Sequence, residues 1–147
     1  MSDWTKENLM LLNANKSNYM IVTRAAGPGF STRLNLQGSN LQRLSSAKLL
    51  GVWISDSLDW ELNTNETCKE TYMRVSMLNK LKYIGMKRDD LVLIYKTYIR
   101  CVLEYCCVVW SSSLTAGQKD SLERVQKVCV KVILGNLHWL SGCPRNL

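Results

Sequence analysis

Apolar and polar residues follow two different periods in this chain of 147 residues, and the period changes near Trp60. Before that residue, short apolar runs alternate with turn-forming residues, a pattern typical of strands joined by tight connections. After it, apolar residues recur every three or four positions, as they do along one face of a helix. The pattern predicts an α+β chain. A small antiparallel sheet with one helix occupies residues 1–59, and a three-helix bundle occupies residues 60–147.

The first part of the chain contains one predicted helix and several predicted strands. Residues 3–12 predict a short helix that leads into a loop. Residues 19–23, "YMIVT", predict a strand. Residues 34–44 predict a hairpin whose turn contains Gly38, and residues 47–55, "AKLLGVWIS", predict one further strand.

The second part predicts three helices with recognisable ends. The first helix ends before Gly85, and the third opens with a Thr115-to-Gln118 capping box and ends before Gly135. The second helix begins with Asp89 and Asp90. Its predicted apolar face consists of eight residues: Leu91, Ile94, Tyr95, Tyr98, Val102, Tyr105, Cys106 and Val109.

The adjacent acids Asp89 and Asp90 raise the question of a metal site, since paired aspartates hold the metal ions of nucleotide polymerases. Such a site needs carboxylates from a strand turn and a further acid from another strand. Here the acids precede a helical pattern, where they favour the helix N-terminus by ~0.3–1 kcal/mol. We interpret them as first-turn capping residues. The spacing of Cys129, His138 and Cys143 is interpreted as chance, so no metal site is predicted.

The net charge of the chain indicates an anionic partner but does not indicate which kind. The formal net charge is +7, and residues 61–147 hold 13 basic against 8 acidic residues. A positive surface attracts nucleic acid, acidic proteins or anionic membranes. No apolar run is long enough to cross a bilayer, and no leader pattern is seen. We therefore expect an intracellular protein, in the nucleus or the cytoplasm, with no membrane partner.

Four phrases in order resemble the reverse transcriptases of non-LTR retrotransposons, in the portion that follows the catalytic aspartates. The stretch from Trp4 to "MIVTR" is similar to polymerase motif D. "LNLQGSNLQRLSSAKLLGVWISDSLDW" is similar to a strand pair and motif E, the primer-grip hairpin, although Leu49 stands where an aromatic residue is common. "LIYKTYIRCVLEYCCVVW" and "LERVQKVCVKVILG" are similar to the helical thumb. The resemblance covers nearly the whole chain.

The resemblance implies a palm remnant over residues 1–59 and a thumb-like domain over residues 60–147. The catalytic aspartates would then precede Met1, so the chain alone is expected to lack polymerase activity. In the complete family enzyme, two magnesium ions support RNA-templated DNA synthesis. This chain is expected to need no cofactor of its own. The resemblance implies the missing upstream polymerase segment as a partner.

Individual roles also follow from the resemblance. Lys16 would be a vestigial general acid facing the phosphates of a nucleotide. Its alternative is a solvated loop lysine. Gly51 would let the backbone approach a primer strand, and its alternative is a bulge without a ligand. The residues predicted to bind nucleic acid are Lys48, Leu50, Gly51, Arg74, Lys80, Arg124, Lys127 and Lys131.

The spacing of the last three of these residues also predicts that they lie together. Arg124, Lys127 and Lys131 are three and four positions apart, so they share one helix face, opposite much of the apolar stripe. That face would lie along the phosphates of a template–primer duplex, an RNA–DNA or a DNA duplex. An ordinary solvated face gives the same pattern. Two other functions stay open: a helical module that binds an acidic protein, and a retroelement relic with no selected activity.

Overall fold

A computed structural model of the chain describes residues 7–10, 12–23, 33–36 and 38–135. The chain divides into two compact units, Met1–Asp59 and Trp60–Leu147. Short strands and long helices occur together, so the fold is α+β. Half of the helix predicted over residues 3–12 lies outside the described residues. In the described half only Glu7 is helical, and Leu9 has a left-handed φ of 54°, so the prediction that the helix reaches residue 12 was wrong.

The described part of the first unit contains six strands of two to four residues. They are β1 (Asn18–Tyr19), β2 (Asn35–Leu36), β3 (Ser39–Asn40), β4 (Gln42–Arg43), β5 (Ser46–Leu49) and β6 (Val52–Ser55). The strands form three separate two-stranded ladders instead of the one antiparallel sheet that was predicted. β1 pairs with β4 in parallel, and the other two ladders are antiparallel. The prediction was wrong for β1 because alternation of apolar residues does not encode strand direction.

The strand predicted over residues 19–23 is also shorter than expected. The strand consists of Asn18 and Tyr19, which pair with β4, and residues 20–23 have no regular structure. The two-residue bridge to β4 is followed by one backbone bond, from the N–H of Leu44 to the carbonyl of Tyr19, at 2.9 Å. β propensity alone does not make a strand where no neighbouring backbone continues the ladder.

Two tight hairpins account for the antiparallel ladders. The hairpin predicted around Gly38 is confirmed: Leu36 pairs with Ser39, and Gly38 has a φ of 81°. The single strand predicted over residues 47–55 is wrong, because the chain reverses at Leu50 and Gly51. These two residues have φ values of 47° and 90°, and positive values at both central positions are typical of a type I′ turn.

The predicted ends of the first and third helices are confirmed. Helix α1 (Glu61–Tyr83) is followed by a Schellman motif, in which the N–H groups of Gly85 and Met86 bond to the carbonyls of Lys82 and Leu81 at 3.0 and 3.2 Å. The capping box of Thr115 and Gln118 is present at the start of the last helix, whose range is Ala116–Leu134. That helix ends at Gly135, where φ is 98°.

The second predicted helix is not continuous. It consists of α2 (Arg88–Ile94), a π-helical turn (Tyr95–Ile99), α3 (Arg100–Leu103) and α4 (Cys107–Trp110). The last helix of the chain, Ala116–Leu134, is therefore α5. Helix α3 ends at Leu103, and Cys106, just before α4, has a left-handed φ of 50°, which separates the two helices.

The interruption changes which residues face the core. Tyr98 was predicted on the apolar face but is 43% exposed, whereas its neighbour Ile99 is fully buried. In the same way Leu103 is buried and Val102 is only half-buried. A π turn holds one residue more than an α turn, so every position beyond it rotates by about 100°. The predicted face was wrong by one residue beyond the turn.

The core of the helical unit is one cluster of nine buried residues from α1, α2, the π turn, α3 and α5. Its members are Val75, Leu78, Leu91, Ile99, Leu103, Val125, Cys129, Val132 and Ile133. Burial of these side chains is the main stabilising contribution that the described residues make in this unit. None of the helices in the described ranges combines the length and the apolar character needed to cross a bilayer.

Candidate nucleic-acid interface

Lys16 lies at the end of a short 3₁₀ turn, Ala14–Lys16, and its side chain is exposed. Asn13 organises this loop. Its side-chain oxygen accepts a hydrogen bond from the N–H of Asn15 at 3.0 Å, and its carbonyl accepts one from the hydroxyl of Ser17 at 2.8 Å. The loop therefore has a defined shape and presents an amine to solvent. No nucleotide-facing role follows from this geometry by itself.

The β5–β6 hairpin carries three of the predicted contacts at or beside its turn. Leu50 is 84% exposed and Leu49 is 60% exposed, which is unusual for two adjacent leucines. Gly51 is the second residue of the turn, so the alternative that it forms a bulge is wrong. The hairpin thus ends in an exposed apolar tip.

Lys48 lies on β5 directly opposite Trp53 on β6. Its ammonium group is 5.8 Å from the centre of the Trp53 ring, within reach of a cation–π interaction worth ~0.5–1 kcal/mol at an exposed site. This contact holds the lysine against the hairpin. Because the interaction is weak, it leaves Lys48 able to contact an anion.

Arg74 has a structural role in the helical unit. Its guanidinium donates to the carbonyl of Tyr98 and to the carboxylate of Glu70, both at 2.6 Å. The guanidinium also lies 4.4 Å from the centre of the Tyr98 ring. Both ends of the donor fork are engaged, so contact with a phosphate would require Arg74 to give up these partners. The nucleic-acid role of Arg74 stays a prediction.

Lys80 is exposed near the end of α1, beside an open surface depression lined by Asn79, Lys80, Lys82, Tyr83 and Ile84. Lys82, which the sequence predicted only to add positive charge to the first helix, stabilises the packing of two helices. Its ammonium group donates to the carbonyl of Val132 in the last turn of α5. A cation at a helix C-terminus stabilises the free carbonyls there. The one sequence feature that could have indicated this role is the position of Lys82 in the last turn of α1.

Arg124, Lys127 and Lys131 lie on α5. Arg124 and Lys127 are exposed, and Lys131 is half-buried. The buried face of the same helix holds four other residues: Val125, Cys129, Val132 and Ile133. At 100° per residue, the mean direction of the three cations is roughly 150° from that face. We call Arg124, Lys127 and Lys131 the basic face of α5.

Acidic neighbours reduce the charge of the basic face. The ammonium group of Lys127 is 2.9 Å from a carboxylate oxygen of Glu123, and the two side chains are 68% and 59% exposed. An exposed pair of this kind contributes only ~0.3–0.5 kcal/mol, so phosphate can replace the carboxylate. Asp120 also precedes Arg124 by one helical turn. Three cations and two acids give this side of α5 a formal charge of +1.

Carboxylates and thiols do not form a metal site in the described ranges, where no group of three His, Cys, Asp or Glu side chains could hold an ion. Asp89 and Asp90 are exposed in the first turn of α2, as predicted, although no side chain caps that helix at Lys87. Burial raises the pKa of the Cys129 thiol to about 11, which disfavours the thiolate that zinc requires. His138 and Cys143 lie outside the described residues.

The predicted site residues fall into two groups. Four of them, Lys16, Lys48, Leu50 and Gly51, belong to the first unit, and the other five belong to the helical unit. Within the helical unit, only the basic face of α5 brings several of the predicted residues onto one exposed surface. That face is the best candidate for contact with a polyanion.

Comparison of the chain with known protein families, with curated proteins and with solved structures gives no match in any of the three. The resemblance to reverse transcriptases therefore rests on the sequence motifs alone.

Proposed function

We propose that the helical unit binds the phosphates of a nucleic-acid duplex, as the thumb-like part of a retrotransposon reverse transcriptase. The basic face of α5 is the observation that carries the proposal. Arg124, Lys127 and Lys131 project from a helix whose opposite side is buried, so the helix has a fixed orientation on the core. A rigid helix that presents cations at one-turn spacing suits a repeating backbone of phosphates.

The binding should be weak and independent of sequence. Phosphate contacts fix position without reading bases, and their free energy comes largely from release of counterions. Asp120 and Glu123 lie beside the cations and oppose binding, which lowers the affinity further. We propose a role in holding a template–primer duplex, with an RNA–DNA hybrid as the preferred form.

The finer assignment of the two units is part of the same proposal. Residues 1–59 correspond to the end of a palm, with the β5–β6 hairpin as primer grip, and residues 60–147 correspond to the thumb. The exposed tip at Leu49 and Leu50 supports this assignment, because a hairpin that contacts a ligand presents its turn to solvent. The described residues do not fit the two magnesium ions of the complete enzyme, so no catalytic step is assigned to this chain.

A salt titration tests the proposal. Replacing Arg124, Lys127 and Lys131 by Gln should lower the slope of log affinity against log salt by about two units, since each phosphate contact contributes ~0.7–0.9. The ligand is a short RNA–DNA hybrid, and circular dichroism checks the folding of each variant.

The matched control removes the same charge elsewhere in the helical unit. Lys69, Lys96 and Lys119 are all exposed, so their replacement by Gln also lowers the net charge by three. If the two triple variants lose equal slope, the effect reflects net charge and the basic face is not the interface.

A protein-interaction module is the second candidate, and exposed apolar residues favour it. Tyr83, Ile84 and Val108 are between 80% and 93% exposed, which is more than a purely electrostatic surface requires. In this case the acidic partner would be a protein. A polyglutamate peptide that binds as tightly as a hybrid duplex of equal charge would favour this candidate over the first.

A further inference from the structure

The π-helical turn Tyr95–Ile99 divides the second helical segment into parts with different registers. The N–H of Arg100 bonds to the carbonyl of Tyr95, five residues back, where an α-helix would use the residue four back. Such a turn is an insertion of one residue into an α-helix. The turn therefore decides which side chains beyond it face the core.

The chain carries two apolar stripes that begin within this turn and continue beyond it, one residue apart. An uninterrupted α-helix would turn Tyr98 and Val102 toward the core, whereas the π turn buries Ile99 and Leu103. Both pairs are apolar, so the two registers bury similar apolar side chains. Their difference in burial free energy is therefore smaller than in a helix with one apolar stripe. A specific polar contact can then select the register.

Arg74 makes that contact with Tyr98. One terminal nitrogen of the guanidinium donates to the Tyr98 carbonyl at 2.6 Å, and the other donates to Glu70 at 2.6 Å. The Tyr98 ring lies 4.4 Å from the guanidinium carbon. Glu70 thus orients the planar fork, and the fork holds both the backbone and the ring of Tyr98.

We infer that Arg74, oriented by Glu70, selects the π register and thereby decides which stripe of the second helical segment is buried. In the uninterrupted register, Tyr98 would rotate by about 100° toward the position that Ile99 occupies, away from Arg74. The carbonyl and ring contacts would both be lost. Arg74 is a positioning residue in this assignment, and the inference is independent of nucleic-acid binding.

Hydroxyl-radical footprinting read by mass spectrometry measures the register in the full chain. In the wild type, Tyr98 should be oxidised and Leu103 protected, following their exposure of 43% and 4%. In Arg74→Met, Tyr98 should lose most of its oxidation and Leu103 should gain it. A folded Arg74→Met variant with the wild-type pattern overturns the inference.

The matched control is Arg100→Met. Arg100 makes an ion pair with Glu104 at 2.6 Å, with the same four-residue spacing as the pair between Arg74 and Glu70. Arg100 and Glu104 belong to the same helical segment as Tyr98, so this pair does not link that segment to α1. This variant should keep the wild-type oxidation pattern. A change of register in Arg100→Met would show that any lost helical ion pair has this effect, and would also overturn the inference.

Deletion of Thr97 provides a second test, which decides the case if Arg74→Met fails to fold. Thr97 is exposed inside the π turn, and its removal restores α spacing while Ile99 and Leu103 keep their buried positions. The deletion variant should fold and should tolerate Arg74→Met. Deletion of exposed Ser76 from the regular part of α1 should unfold the unit, because it rotates Leu78 out of the core.

The outcomes are distinct. If the Thr97 deletion unfolds the chain, the π turn is not a removable insertion. If the deletion folds but Arg74→Met unfolds it, Arg74 supports something other than the register. Either result sinks the inference. A folded double variant with Leu103 protected supports it.

Discussion

The first unit and the helical unit are stabilised in different ways. In the first unit, the described strands form ladders of two to four residues closed by tight turns, and Val52 is the one buried hydrophobic residue among those described. In the helical unit, a cluster of nine buried residues joins segments that are far apart in sequence. Local backbone geometry therefore dominates in the described strands, whereas burial dominates in the helices. Substitutions should cost far more in the second.

The largest expected effect tests the helical core. Leu78 is fully buried within the cluster, so Leu78→Ala should lower the free energy of unfolding by ~2–5 kcal/mol through lost burial and an unfilled cavity. Urea denaturation followed by circular dichroism measures the change. Met77, next in the chain and 45% exposed, provides the control. If Met77→Ala is as costly as Leu78→Ala, burial does not dominate this unit.

A pH dependence at Cys129 is the next largest effect. Burial raises the pKa of this thiol to about 11 from an ordinary value of 9.0, so the unfolded chain loses its proton first. The associated stability is fully present below pH 9 and decreases as the pH rises toward 11, by about 2 kcal/mol at most. Cys129→Val should flatten the decrease measured by urea denaturation. Cys101→Val, at an exposed position, should leave it unchanged.

The capping box of α5 should contribute about 1 kcal/mol. The Thr115 hydroxyl accepts from the N–H of Gln118 at 3.3 Å, and the Gln118 side chain accepts from the N–H of Thr115 at 2.9 Å. Thr115→Ala should therefore lower stability by ~0.5–2 kcal/mol, seen as faster amide exchange in the first turn. Ser113→Ala, in the exposed turn before the cap, should change it little. If Thr115→Ala lowers the free energy of unfolding as much as Leu78→Ala does, burial does not contribute more to the stability of this unit than local hydrogen bonds do.

The smallest effect concerns the hairpin turn, and it should be stabilising. Leu50 has a φ of 47°, a conformation that costs a leucine ~1–2 kcal/mol but that asparagine adopts readily. Leu50→Asn should slow amide exchange in β5 and β6 and raise local stability by about 0.5–1 kcal/mol. Leu49→Asn, in the strand beside the turn, should not. A neutral or harmful Leu50→Asn would mean that the apolar tip is held by more than backbone geometry.

The sequence by itself determined those features whose physical cause lies within a few residues. The capping box, the glycines after α1 and α5 and the turn at Gly38 were predicted because each depends on one residue's backbone preference or on a bond across three positions. The spacing of Arg124, Lys127 and Lys131 likewise predicted a shared face, since helix geometry alone relates those positions. The apolar pattern missed the parallel direction of β1 and the reversal at Leu50, because alternation of apolar residues encodes neither; a hairpin at the second position was implied only by the resemblance to a primer grip.

Only the tertiary structure decided the register of the second helical segment and the engagement of two cations. Arg74 reaches the Tyr98 carbonyl across 24 residues of sequence, and Lys82 reaches the Val132 carbonyl across 50. These hydrogen bonds form only after the helices have packed, so the pattern of apolar residues along the chain does not predict them. Because both Tyr98 and Ile99 are apolar, a 3.6-residue pattern fits either register, and the contact with a neighbouring helix decides between them.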